Sequence, residues 1–476
     1  MDSSGTNNWA QLVFAIPDVL LGVALLASFI TRCVLDEGRS RAILPRFSML
    51  VSLTCLVMML VYGTLGKTFS NSLFVYNPHL FYIKAISIAG SFIIFSVISV
   101  TNFYKTISAY TYVYIFGIIN AINLCLVTNH LLSLLMGLEL YTFSMCFSLM
   151  IQHNETGAKA RKCAARFLLT SYAMSAILLY GMSIFYFGSG SLSFPKINFD
   201  KSFATTVGTT LVTSALLFKL GLAPFHAWMV DVYEKASTGL VMFFDAIWKF
   251  FMVFIFIRFF KFVLQGGCQL HQFLMPLSIL SMLIGTVMPI FQKNIKKFVA
   301  YASVGHMGFV TTVFAIADDI TATSDALLYI ISYSLASICF FITVLYIKKR
   351  RILTTFEDLA GLINDAPMLG GSIIVSMFAM IGLPPFISFI AKFKILKLQL
   401  LSRNYVLLAV SIIYSILSIL YASKCIMNVF SASKNTDQIK STRSSPLLTL
   451  SLCILLISPI FYMALNDWFI NILKNI

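Results

Sequence analysis

Apolar runs of about 20 residues, parted by short polar connections, recur from one end of this chain to the other. Fourteen stand out, at about 10–31, 43–65, 80–100, 108–128, 130–151, 163–187, 204–229, 238–263, 272–292, 298–316, 324–347, 366–398, 402–430 and 446–470. A helix of about 20 apolar residues crosses a hydrocarbon layer about 30 Å thick. Within lipid every backbone polar group must be satisfied internally, so only helices and closed barrels span. A barrel would show segments of about 10 residues with alternating polarity, and none occurs. The pattern predicts an all-α integral membrane fold of 14 transmembrane helices. It is one polytopic membrane domain over 1–476, with no soluble domain at either end.

Composition agrees. Hydrophobic residues make up 59% and charged residues 11% of the chain, with a mean hydropathy of +0.89. A soluble domain carries about 25% charge. The N-terminal MDSSGTNNWAQLVF lacks a basic region, so no cleaved signal peptide is expected. The nine cysteines are scattered, with no CxxC and no Cys/His cluster. They read as small hydrophobes inside spans, and no metal site, disulfide framework or iron–sulfur centre is expected.

The net charge is +16, and its distribution matters more than its size. Taking the loop after the first span and every second loop thereafter as one side, 21 of the 34 Lys and Arg fall there and nine on the other. The richer side carries Arg32, Arg39, Arg41, Lys159, Lys162, Lys235, Lys296, Lys297, Lys348 and Lys349, among others. Positive residues favour the cytoplasmic or matrix face. That side is therefore expected to be cytoplasmic or matrix, with both termini opposite. The basic excess is a topology signal and not a nucleic-acid patch.

A short internal echo joins two long apolar segments, GLAPF at 221–225 and GLPPF at 382–386. Paired Pro/Gly-interrupted segments in two halves point to an inverted-repeat transporter core. Intramembrane charges cluster at these places. Glu139, Lys219, Lys249 and Lys392 each fall well inside a span. At about 3 kcal/mol apiece, together they cost roughly 12 kcal/mol to insert, which calls for partners, water or a function. The plainer alternatives are a hydrogen-bonded carboxyl for Glu139 and a snorkelling chain for Lys219. For Lys249 it is a structural i, i+4 pair with Asp245, and for Lys392 an interfacial anchor. His306, inside span ten, is either a packing residue or a proton carrier. His226 follows Pro224 and is placed to bridge the interrupted helix to its loop. Lys84 and Asp18 stand near predicted span ends and read as interfacial. Each proline break frees backbone carbonyls, tolerated at membrane depth only where they face protein or water. The proline therefore explains the nearby lysine: polar backbone and water let Lys219 hold or exchange a proton. A carboxylate at a variable distance from a lysine is a physical proton switch.

At these residues the sequence resembles the antiporter-like membrane subunits of respiratory complex I, NADH:quinone oxidoreductase. The stretches that carry the resemblance are GLELYTFS, FKLGLAPFHAWMVDVYEKAS, NIKKFVAYASVGHMGFV and GLPPFISFIAKFKIL, spread over about 137–396. The resemblance implies two inverted five-helix repeats, about 108–263 and 272–430, with helices 7 and 12 broken. It implies that Glu139 and Lys219 form the coupling pair of a first half-channel. Lys249 would connect, His306 would relay centrally, and Lys392 would exchange protons in the second half-channel. Two departures stand out: Val230 where the family has proline, and KASTGL (235–240) where it has GAPTPV-like residues. Both bear on the start of span eight. Asp245 is also unusual for the family at its place.

The implied function is proton translocation through this Glu/Lys/His series, driven by quinone reduction elsewhere in the complex. No cofactor is expected in this chain. NADH, FMN, iron–sulfur clusters and quinone belong to partner subunits. The expected partners are other complex I membrane subunits, the bilayer and protons, with no nucleic acid. The setting is the inner (cell) membrane of a bacterium or the mitochondrial inner membrane. Lysine at 392, with only about six residues after the last span, matches one branch of the family. The alternative is a subunit of an Mrp-type cation/proton antiporter, which shares fold and residues.

Overall fold

The computed structural model describes residues 8–66, 68–100, 109–151, 157–194, 202–265, 270–316, 320–349, 353–431 and 446–475. The loop cations Lys67, Lys105, Lys196, Lys201, Arg350, Arg351, Lys434, Lys440 and Arg443 lie outside them. The described residues are helical nearly throughout, and among them twelve helical segments are long and apolar enough to cross a membrane. It is a multi-pass membrane protein. The one departure from an all-helical reading, among the described residues, is a hairpin of two-residue strands, β1 (Phe69–Ser70) and β2 (Val75–Tyr76).

Two compact units divide the chain, residues 1–212 with 475–476, and residues 213–474. The first holds α1 (Asn8–Val34), α2 (Glu37–Thr64), α3 (Pro78–Val100), α4 (Tyr110–Val127), α5 (Leu131–Met150) and α6 (Gly157–Ser189). Its helices pack as α1 on α2 and α4, α2 on α3, and α4 on α5, with α6 against α5. The connections after α2, α4 and α6 meet: Phe74 bridges Thr128, and His130 bridges Ser193. Successive contacts between alternate loops require an even number of crossings between them, which is what the predicted span order demands.

Helix α7 (Phe203–Leu220) begins in the first unit and ends in the second. The second then runs through α8 (Ala227–Lys235), α9 (Thr238–Phe243), α10 (Lys249–Gln265), α11 (Leu270–Phe291), α12 (Ile295–Phe314) and α13 (Ile320–Lys348). It ends with α14 (Leu362–Asp365), α15 (Pro367–Ile381), α16 (Ile387–Leu401), α17 (Tyr405–Phe430), α18 (Pro446–Ile457) and α19 (Tyr462–Asn475). A single π turn, Phe244–Trp248, joins α9 to α10, and every residue from Thr238 to Phe260 is buried. Helix α13 is the hub: α9, α10, α12, α15, α16 and α18 all pack on it. On one side the loops again meet, as Asn294 bridges Thr355, Lys296 caps the Glu234 and Ala236 carbonyls, and Gly361 donates to Ser431. The departure at KASTGL resolves simply. Ala236 and Ser237 are extended, and the next helix starts at Thr238.

The two echoed pentapeptides end their helices in the same way. Gly221 (φ +78°) and Gly382 (φ +85°) are both left-handed, a conformation glycine enters without a Cβ penalty. In each case the next residue donates five positions back, Leu222 to Leu217 and Leu383 to Phe378, both at 3.1 Å. This is the helix-ending motif glycine favours, and a proline follows within three residues each time.

Candidate functional site

In the first unit Glu139 sits on α5, part-exposed between the outward-facing Met136 and Phe143. Its Oε1 accepts a short hydrogen bond from the Ser175 hydroxyl of α6. Its Oε2 is buried and has no partner among the described residues. Deeper in this unit lies an ion pair that span-end reasoning did not foresee. Lys84 is fully buried, and its Nζ stands 2.5 Å from Asp18 Oδ2. Tyr76 also donates to Asp18, at 3.4 Å, and its ring lies under the Lys84 ammonium at 5.0 Å. Lys84 is therefore held inside the unit by a partner, a part-exposed Asp18, which the reading from span ends did not provide. The apolar surround makes pairing the cheaper arrangement for two charges.

In the second unit Lys219 lies in the last turn of α7, and Lys392 on α16 reaches back to the broken end of α15. The Phe218 carbonyl accepts from Gly221 N–H (3.0 Å) and the Trp228 indole (3.0 Å), and the Lys219 carbonyl from the Trp248 indole (3.4 Å). Lys219 itself is 3% exposed, its ammonium 5.9 Å from the Phe218 ring. At the second break Ser388 caps the Ala379 carbonyl, and Lys392 Nζ donates to Ile381 O at 3.1 Å. Lys392 is 5% exposed, so it does not reach out as an anchor would. It has no carboxylate partner among the described residues. What holds its charge is the negative end of α15 and the faces of Tyr414 (5.0 Å) and Phe309 (5.7 Å).

Lys249 is different. Its Nζ lies 2.7 Å from Asp245 Oδ1, and both side chains are buried. Asp245 also accepts from Tyr233 (3.0 Å), Tyr333 (2.9 Å) and Ser337 (2.5 Å). His306 packs beside this group, its ring 4.6 Å from that of Tyr333 and tilted by 42°. Its Nδ1 is hydrogen-bonded to the hydroxyls of Tyr329 (2.8 Å) and Tyr414 (2.9 Å). Tyr414 in turn lies over Lys392. The structure thus brings Lys249, His306 and Lys392 onto one buried polar axis, joined by Asp245, Tyr333 and Tyr414. Glu139 belongs to the first unit and Lys219 to the end of α7 in the second. His226 bonds through its carbonyl to Met229 at the start of α8, in the bridging place expected of it.

The hydroxyl-bearing members of this axis were not singled out from sequence, although a signal existed. Tyr329, Tyr333 and Ser337 recur every fourth residue in one span, which aligns them on one helix face. Tyr414 had no such mark, because its place depends on how α17 meets α12.

Comparison with known proteins gives one family match. The model described as NADH:quinone oxidoreductase/Mrp antiporter, TM, matches residues 128–418. A relative from Pelagibacter ubique, named NADH-quinone oxidoreductase subunit N, is 30% identical over 308 residues, 64% of this chain. The match spans 65% of that relative's length, just under two thirds. A chain of respiratory complex I from Thermus thermophilus superposes with a TM-score of 0.76 at 21% identity, covering 94% of this chain and 99% of that one. A chain of the Mrp complex from a Dietzia species gives 0.83 at 16% identity, covering 98% and 97%. At such identities the two structures speak for the fold alone.

Proposed function

This chain belongs to the NADH:quinone oxidoreductase/Mrp antiporter family of membrane proteins, and from that premise we propose that it is the proton-translocating subunit N of an NADH:quinone oxidoreductase. The observation that carries the reading is the buried series Lys249, Asp245, Tyr333, His306, Tyr414 and Lys392, joined by hydrogen bonds and ring contacts. Isolated intramembrane charges are costly, and a series of them ending on a helix break is a proton path in physical terms. Glu139 and Lys219 serve as the input pair, Lys249 connects, His306 relays, and Lys392 exchanges with the opposite side. The name carried by the Pelagibacter relative supports subunit N. Helices α7 with α8, and α15 with α16, are each one interrupted crossing, which gives fourteen crossings and two inverted repeats. Redox chemistry, with NADH, FMN, iron–sulfur clusters and quinone, lies in partner membrane-arm and peripheral subunits.

The second reading, an Mrp-type antiporter subunit, has the fold likeness to the Dietzia chain in its favour. Isolation of the chain from its native membrane separates the two. Copurification with NADH-oxidising partners, and loss of NADH-driven pumping in Lys249→Met, fits subunit N. Copurification with antiporter subunits and Na⁺-dependent exchange refutes it.

A further inference from the structure

Asp245 is the one charged member of the axis that family resemblance does not supply. It lies in the π turn between α9 and α10, a local widening that recurs at functional sites. Donors arrive from three directions: Tyr233 from α8, Lys249 from one turn further along, and Tyr333 with Ser337 from α13. Two land on each oxygen, which fills the acceptor capacity of a carboxylate. No other charged group among the described residues bonds to it.

A fixed ion pair at 2.7 Å would immobilise the proton of Lys249, the residue that a relay requires to release one. The two facts are compatible if the carboxylate itself takes the proton. We infer that Asp245 is a proton-carrying residue of the relay, receiving the Lys249 proton on Oδ1 and releasing the same proton toward Tyr333 and Ser337 after the carboxyl group turns about its Cβ–Cγ bond. The Nζ–H bond breaks and an Oδ1–H bond forms, turning an ammonium–carboxylate pair into an amine–carboxylic acid pair with the same hydrogen bond reversed. The net charge of the pair does not change, so the step needs no co-reactant. On the far oxygen the hydroxyls of Tyr333 and Ser337 each accept as well as donate, and Tyr333 packs on His306.

The inference rests on the proposed relay, and the experiment separates their failures. In vesicles holding the assembled complex, Asp245→Asn is expected to cut proton translocation at least tenfold, and Asp245→Glu to recover much of it. Infrared difference spectra on turnover should show a carboxylic-acid C=O band that Asp245→Asn removes. Translocation within twofold of the parent in Asp245→Asn, or a parent spectrum without the band, overturns the inference. If Asp245→Asn does not assemble, Tyr333→Phe with Ser337→Ala takes its place. Stripping both donors from Oδ2 must shift the band, and an unmoved band overturns the assignment. Normal pumping in Lys249→Met would instead bring down the underlying relay.

Discussion

Gly285 on α11 and Gly305 on α12 touch backbone to backbone: a Cβ on Gly285 would lie 2.1 Å from the Gly305 nitrogen and 2.3 Å from its Cα. Three residues on, Gly308 meets Ser281 and Met282 in the same manner. Small residues at a helix interface let membrane helices approach closely, and here the approach fixes His306, the neighbour of Gly305. Alanine in a helix normally gains up to about 1 kcal/mol over glycine. At Gly285 overpacking should reverse the sign and cost about 1–3 kcal/mol. Gly371 on α15 has open space around it, so Gly371→Ala is the control. Thermal unfolding of the purified protein should show a lower midpoint for Gly285→Ala and an equal or higher one for Gly371→Ala. Equal midpoints for both would contradict the contact.

Lys392 tests the geometry of the second break. Its ammonium is held by the Ile381 carbonyl and the Tyr414 face. Arginine keeps the charge but is too large and planar for the same seat. Lys392→Arg is expected to retain part of the pumping activity and Lys392→Met to lose at least tenfold more. Near-parent rates in both would return this residue to the role of an inert anchor.

Glu139 and Lys219 each sit beside a polar feature that isolated charges lack: the Ser175 hydroxyl for one and the broken end of α7 for the other. Glu139→Gln and Lys219→Met are expected to reduce proton translocation while leaving insertion and assembly intact. Blue-native gels give assembly, and a pH-sensitive dye in vesicles gives pumping. Two fully active mutants would remove both residues from the relay.

The basic bias assigns the connections after α1, α3 and α5 to the cytoplasm or matrix, and so the meeting loops after α2, α4 and α6 to the opposite side. Cysteine placed at exposed Lys159 should react with a membrane-impermeant thiol reagent only from within. Placed at exposed Ser72 it should react only from without. The reverse pattern would invert the orientation.

Asp358 pins the loop that joins α13 to α14. Burial alone would raise its carboxyl, but the backbone N–H groups and hydroxyls of Thr355 and Thr354 outweigh this and hold it below the ordinary carboxylate range. A folded-state value below the unfolded one means the stabilisation is present above about pH 4 and fades as pH falls through the folded value. Asp358→Ala removes one side of a capping box, worth about 1 kcal/mol, or about fivefold in opening. Hydrogen exchange at the Thr354 and Thr355 amides at neutral pH should quicken by that factor. Relative to intrinsic exchange at the same pH, acidification below pH 4 should lower protection in the parent but not in the variant, and unchanged protection in the parent would refute the cap.

Sequence alone determined the class and order of the fold. A spanning helix satisfies its backbone locally, so length and polarity of each run suffice to find it, and α1 to α6, α11 and α17 lie within a few residues of their predicted spans. The helix ends at Gly221 and Gly382 were legible for a similar reason, since a glycine–proline break acts on its own backbone. Sequence also picked out Lys219, Lys249, His306 and Lys392, because a charge in an apolar run is conspicuous wherever it points. What it could not give was which partner each would meet. The Lys84–Asp18 pair joins residues 66 apart in the chain, and Tyr414 reaches His306 across 108. Those meetings depend on which faces of α1, α3, α12 and α17 turn toward each other. Side-chain packing decides that, through close contacts such as Gly285 on Gly305, and packing leaves no local trace in the order of residues.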